Sequence, residues 1–113
     1  MLDKEKFTDN MKYYDKEIVV QVIDMFLEQY PGRLKDLQSD ILEMDFSKID
    51  NHAHSLKGEV TYMSAEMAEV ARKLEFKGKE KDGTGLNELL DALNEGIPIL
   101  AKELTEFKKE YQS

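Results

Sequence analysis

Two histidines occur in the chain, His52 and His54, both inside the stretch NHAHSLKG from Asn51 to Gly58. Imidazoles support three kinds of chemistry. A pair can grip a metal ion, a buried ring can hydrogen-bond within a core, and an exposed neutral ring is a nucleophile. The neighbours narrow the choice: Asp50 precedes His54, and Lys57 and Gly58 follow it. Which chemistry is open depends on where the rings point, and so on the element that carries them.

The 113 residues fit one domain, expected to span 1–113 with its core from about 15 to 112. That length can close a hydrophobic core without staples. With 41% apolar and 35% charged residues the chain reads as folded and soluble rather than disordered. A net charge of −8 weighs against nucleic acid as a partner. The absence of cysteine excludes disulfides and thiolate metal sites. No apolar run approaches the ~20 residues of a membrane span. The opening MLDKEKFTDN lacks the apolar core of a signal peptide. A cytoplasmic location is expected. The initial Met1 and the absence of linker-like ends favour a free-standing protein.

Strand signals are sparse, and helical spacing runs almost throughout. Residues 1–12 form a short first helix with Leu2, Phe7 and Met11 in weak phase. Asp15 is a candidate N-cap for a helix that buries Val19, Val22, Ile23, Phe26, Leu27 and Tyr30. Leu34, Leu37, Ile41 and Met44 continue the stripe beyond Pro31, where a kink or short break is expected. Phe46, Ile49, Ala53, Leu56, Val60 and Met63 form a heptad-like stripe. Ser64 caps the next helix, with Met67, Val70 or Ala71, and Leu74 inward. Lys77–Gly85, KGKEKDGTG, reads as a long flexible connection. A last helix buries Leu86, Leu89 or Leu90, Leu93, Ile97, Leu100, Leu104, Phe107 and Tyr111, bent near Gly96 and Pro98. The expected fold is all-α: an antiparallel up-down four-helix bundle with a short extra N-terminal helix.

At about 100° per residue, His52 and His54 fall on opposite flanks of the Ala53 seam and diverge by roughly 160–200°. They cannot share an ion, and the i, i+4 spacing of a zinc helix is absent. His52 reads as a half-buried boundary residue. His54 points outward with Asp50, Lys57, Gly58 and Thr61 on its side of the helix. This arrangement suits a phosphoryl carrier. The ring attacks phosphorus in line and needs open space outside it, which Gly58 leaves. Lys57 can sit against phosphoryl oxygens. Asp50 can hold one ring nitrogen and leave the other to react. Gly58 has a bland alternative, a tight helix–helix contact.

These residues resemble a known family. Ala53 to Gly58, AHSLKG, is similar to the His-x-Leu-Lys-Gly motif of histidine phosphotransfer domains. FLEQYPGRLKDL, Phe26 to Leu37, resembles a segment often found upstream of that motif. The resemblance covers roughly Val19 to Leu74. It implies a four-helix bundle in which His54 is phosphorylated, Lys57 supports the phosphoryl group and Gly58 clears its approach. The chain departs from the family pattern after the glycine, where Glu59 brings a carboxylate near the site. Whether Glu59 faces the phosphoryl group or solvent is open.

The resemblance implies a histidine-containing phosphocarrier of a two-component phosphorelay. It would exchange the group with aspartates of response-regulator receiver domains, or take it from a hybrid histidine kinase. No nucleotide-binding loop is present, so the chain is expected to be a transfer intermediate without kinase activity of its own. No cofactor or metal is expected on this chain; Mg²⁺ is expected on the receiver. Ser47, Asp50, Asn51 and Thr61 are candidates for the docking face, and a monomer is expected. Two rival readings are a helical interaction module and the dimerisation domain of a histidine kinase. The latter usually follows its histidine with acidic, arginine and proline residues rather than Ser-Leu-Lys-Gly.

Overall fold

The computed structural model describes all residues from Met1 to Ser113 as five helices without strands. They are α1 (Lys4–Met11), α2 (Lys16–Leu42), α3 (Phe46–Val60), α4 (Ala65–Glu80) and α5 (Leu86–Gln112). α2 packs on α3 and α5, and α4 packs on α3 and α5, so the four longer helices form a closed ring. At 1.5 Å per residue the 27-residue helices α2 and α5 are about 40 Å long. They set the long axis of a molecule measuring 45 × 20 × 19 Å.

Each stripe read from the sequence turns inward. Ile49, Ala53, Leu56 and Val60 of α3 are fully buried, as are Ala71 and Leu74 of α4 and Leu93, Ile97, Leu100 and Leu104 of α5. A buried side chain of leucine size stabilises by about 1.5–3 kcal/mol, so this shared core dominates over any local propensity. α1 is tied at its start by the Asp3 N–H, which donates to the Met63 carbonyl at 2.8 Å. Its Phe7 is fully buried and meets Phe107 edge-on, with ring centroids 5.5 Å apart.

Packing also overrules several local signals. α2 runs through Pro31 without the expected break, and α5 runs through Gly96 and Pro98. Both prolines are exposed, where solvent can serve the carbonyl that loses its donor, while the buried residues on either side hold the helix in line. Met44 leaves the core stripe, because α2 ends at Leu42 and Met44 takes up a left-handed φ of 51° in the turn. Asp15 stands at the N-cap of α2, yet its side chain makes no capping bond. Ser64 caps α4 as expected, accepting from the Met67 N–H at 3.3 Å.

The largest correction concerns Lys77–Gly85. α4 continues to Glu80, so the first half of this stretch is helix, not flexible connection. Lys81 ends the helix in the left-handed region. The turn that follows is pinned: Lys77 Nζ donates to Asp82 at 2.9 Å and Thr84 at 3.1 Å, and Asp82 accepts from the Thr84 N–H and hydroxyl. Gly78 is buried in the seam between α3 and α4. A Cβ there would lie 2.6 Å from the Asp50 nitrogen and 2.8 Å from the Phe46 carbonyl oxygen. These are backbone atoms and cannot swing away. Gly58, by contrast, has nothing within 4 Å of where its Cβ would be. The glycine of close helix packing is therefore Gly78, not Gly58.

The two glycines should respond oppositely to substitution. Gly78→Ala should lower stability by about 1–3 kcal/mol through overpacking. Gly58→Ala should raise it by up to about 1 kcal/mol through helix propensity. Urea denaturation midpoints at unchanged m-value check both signs.

Candidate functional site

The close approach at Gly78 sets the register of α3 against α4. Phe46 and Asp50 meet the Gly78 turn, and one turn further along α3 His54 meets Glu75, so the two helices run in opposite directions. Glu75 is 6% exposed although it carries a charge. Both its oxygens are engaged. Oε1 accepts from Lys57 Nζ at 2.8 Å, and Oε2 lies in short contact with His54 Nδ1. Burial pushes the Glu75 carboxyl up. The hydrogen bonds and positive charge of Lys57 and the contact with His54 outweigh that and hold it below its ordinary value. Glu75 is therefore a carboxylate that can only accept, so Nδ1 must carry the proton of the bond between them. That tautomer leaves the lone pair on Nε2. The His54 side chain is 69% exposed, with Nε2 as its free nitrogen.

Asp50 does not hold the His54 ring. It accepts from Lys79 Nζ at 3.0 and 3.3 Å, across the α3–α4 seam near Gly78. The role foreseen for Asp50 is filled by Glu75, 21 positions along the chain from His54. Glu59 turns neither to the site nor to open solvent. It faces α2 and lies 2.7 Å from Arg33 Nε in an ion pair whose geometry is off-axis for a hydrogen bond. Its charge is thus partnered on the flank away from Glu75.

His52 is a second imidazole–carboxylate pair on that same flank. Its Nδ1 lies 2.5 Å from Oδ2 of Asp40 on α2, and the Asp40 residue is 4% exposed. The His52 side chain is half-buried, as the flank position implied. Asp40 has no lysine or arginine paired with it, whereas Glu75 has Lys57. His52 thus reads as the partner that lets Asp40 be buried between α2 and α3.

The remaining candidates fall around His54. Ser47 and Asn51 are exposed and, with His54 and Gly58, follow one face of α3. Thr61 is half-buried and its hydroxyl donates to the Lys57 carbonyl at 2.5 Å. Tyr62, which the sequence reading did not single out, extends this face with a 47% exposed ring. No group of three or more His, Cys, Asp or Glu side chains is arranged to hold a metal ion. No helix is long and apolar enough to cross a membrane.

An all-helical domain that presents one imidazole to solvent, backed by a buried carboxylate and a lysine, has the parts of a phosphoryl carrier. A sequence profile of the Hpt domain family matches residues 21–108, and the chain belongs to this histidine phosphotransfer family. Its function class is histidine phosphotransfer within a phosphorelay, where Hpt domains interact with receiver domains and kinases. Among solved structures, the fold is similar to that of histidine-containing phosphotransfer protein B from Pseudomonas aeruginosa PAO1. The TM-score is 0.87 at 19% identity, over 97% of this chain and 96% of that one. No curated protein matches the chain closely enough to count as a relative.

The lowered Glu75 carboxyl has a pH signature. A group whose pKa is lower folded than unfolded adds stability above its unfolded value, and loses it as pH falls through the folded value. The stability that the ionised Glu75 adds over Glu75→Gln should be fully present above the ordinary glutamate range. It should shrink as pH drops below the ordinary glutamate value of 4.5. Chemical denaturation of both proteins across that range measures it.

Proposed function

We propose that His54 accepts the phosphoryl group on Nε2 and exchanges it with aspartates of response-regulator receiver domains. The contact between Glu75 and His54 Nδ1 carries this reading, because it leaves the exposed nitrogen as the nucleophile. Lys57 is the phosphoryl support: its Nζ already lies beside the ring's carboxylate partner and can swing to phosphoryl oxygens. Gly58 provides clearance, since no atom stands within 4 Å of its missing Cβ. The transfer needs positioning and charge neutralisation more than covalent help from the carrier. The Mg²⁺ it uses belongs to the receiver, and this chain needs no cofactor.

The docking face comprises Ser47, Asp50, Asn51 and Thr61 around His54, with Tyr62 at its end. A hybrid histidine kinase is the alternative donor. The ring of four packed helices supports an antiparallel up-down bundle acting as one domain over 1–113, and the proposal takes it to act as a monomer. A cytoplasmic location follows from the same reading.

Incubation with a ³²P-labelled receiver domain tests it. Wild type should take up acid-labile label, His54→Gln none, and His52→Gln as much as wild type. Lys57→Ala should slow uptake roughly 10- to 100-fold, the size of one hydrogen bond to a charged group. Label on His54→Gln at the wild-type level would sink the assignment.

A further inference from the structure

We infer that the groove between α4 and α5, on the edge of α4 turned away from His54, takes an acidic peptide segment that carries one bulky apolar side chain.

Phe76 is the first sign. The buried stripe of α4 runs through Met67, Ala71 and Leu74, and at about 100° per residue Phe76 lies about 160° round the helix from Leu74. Its ring is 55% exposed, so the bundle core does not use it. A phenylalanine has one of the largest apolar surfaces a side chain can bury, and here much of it stays in water. Across from it Leu89 of α5 is half-buried and packs against the core. The two make the apolar lining of a groove of about 470 Å³, rimmed by Arg72, Lys73, Lys77 and Glu88.

The groove is open to solvent rather than enclosed. Sites for small ligands bury most of the ligand's surface, which this groove cannot do. A stretch of chain needs no enclosure. Its flanking residues stay hydrated, and only one side chain has to enter between Phe76 and Leu89.

Charge selects the kind of chain. Residues 72–81 hold five lysines and arginines against two carboxylates, in a chain of net charge −8. One of the two is Glu75, which faces α3 and is engaged with Lys57 and His54. This local excess runs against the sign of the whole molecule and favours the approach of an acidic segment. Arg72 is held by Glu69, and Lys77 by Asp82 and Thr84. Lys73 is exposed and its ammonium is in no ion pair, which makes it the cation left for a partner's carboxylate. The Lys77 end of the groove already favours a carboxylate. Asp82 sits far below the ordinary range for its carboxyl, because the Thr84 hydroxyl and N–H and the Lys77 ammonium all donate to it. The one opposing group on the rim, Glu88, stands in the first turn of α5, where the helix N-terminus favours negative charge. A second copy of this chain fits less well, since two molecules of charge −8 repel.

Lys73 and Lys77 stand about 160° round α4 from Glu75, the residue that meets His54. A segment bound in the groove therefore leaves the His54 face open. A domain joined to that segment is held beside the bundle at raised effective concentration.

Amide NMR spectra of the intact protein at low salt test this, with three short peptides as probes. The first is built of Glu and Asp around a central Phe. The second replaces that Phe by Ser, and the third replaces the acids by Lys. The first should shift the resonances of Lys73, Phe76 and Leu89 and leave Asn51 and Gly58 in place. Phe76→Ser should weaken its binding roughly 10- to 100-fold, the effect of burying one such side chain. Lys73→Glu should weaken it about three- to tenfold, and added salt should act in the same direction. The Ser and Lys peptides should bind at least about tenfold more weakly than the first. Equal binding of all three, no shift at Phe76 with the first, or shifts centred on His54 overturn the inference. So does dimerisation in analytical ultracentrifugation that Phe76→Ser abolishes, because a second copy then occupies the groove. None of these readouts involves phosphorylation, so the carrier assignment stands or falls apart from them.

Discussion

The site depends on one buried carboxylate satisfied by two donors on a neighbouring helix. A glutamate at the Glu75 position would be costly to bury alone, because an unpaired charge loses its hydration without return. Lys57 and His54 remove that cost by occupying one oxygen each. The arrangement works in both directions. The carboxylate is held ionised by its donors, and it fixes which nitrogen of His54 bears hydrogen and which faces solvent. Such reach requires α4 to lie close on α3. Gly78 allows this by having no Cβ where the backbone of Phe46 and Asp50 passes.

The second imidazole shows what the pair alone does not provide. His52 and Asp40 repeat the motif of a ring nitrogen against a buried carboxylate, on the same helix and two residues away. That carboxylate pairs with no lysine, and the ring is half-buried against α2. A phosphoryl group there would meet an uncompensated carboxylate and partly blocked access. The pair at His54 differs in its surroundings: an exposed ring, the Lys57 charge and the bare backbone at Gly58, which is why the proposed reactivity is placed there.

What was legible in the sequence was local. The stripe Phe46, Ile49, Ala53, Leu56, Val60 fixes a helix and, through about 100° per residue, sends His54 outward and His52 to a flank. Both outcomes hold, as do Ser64 as a cap and the inward faces of α4 and α5. What escaped was set by register between helices. Asp50 was the carboxylate within one turn of His54, but tertiary packing assigns it to Lys79 and brings up Glu75 instead. Glu59 finds Arg33 for the same reason. One signal did exist. Gly78 falls in phase with Met67, Ala71 and Leu74, and a glycine on a buried stripe marks a close helix contact. Its setting among lysines and glycines made it read as loop.

The same geometry bears on how firmly the phosphoryl group is held. In the proposed role Lys57 could not serve Glu75 and the phosphoryl oxygens fully at once, so its gain on phosphorylation would be partly offset by what it gives up. The His54 ring is mostly exposed, where a charge pair a few ångströms apart is worth about 1–4 kcal/mol rather than the far larger values of a dry interior. Under the proposed function, a carrier built this way would stabilise its phosphorylated state only modestly. Deep burial or a second cation on the free nitrogen would hold the group more tightly and slow its release. Modest stabilisation would suit a domain that must both accept and give up the same group, and on this reading it follows from placing the charged partner of the site beneath the ring.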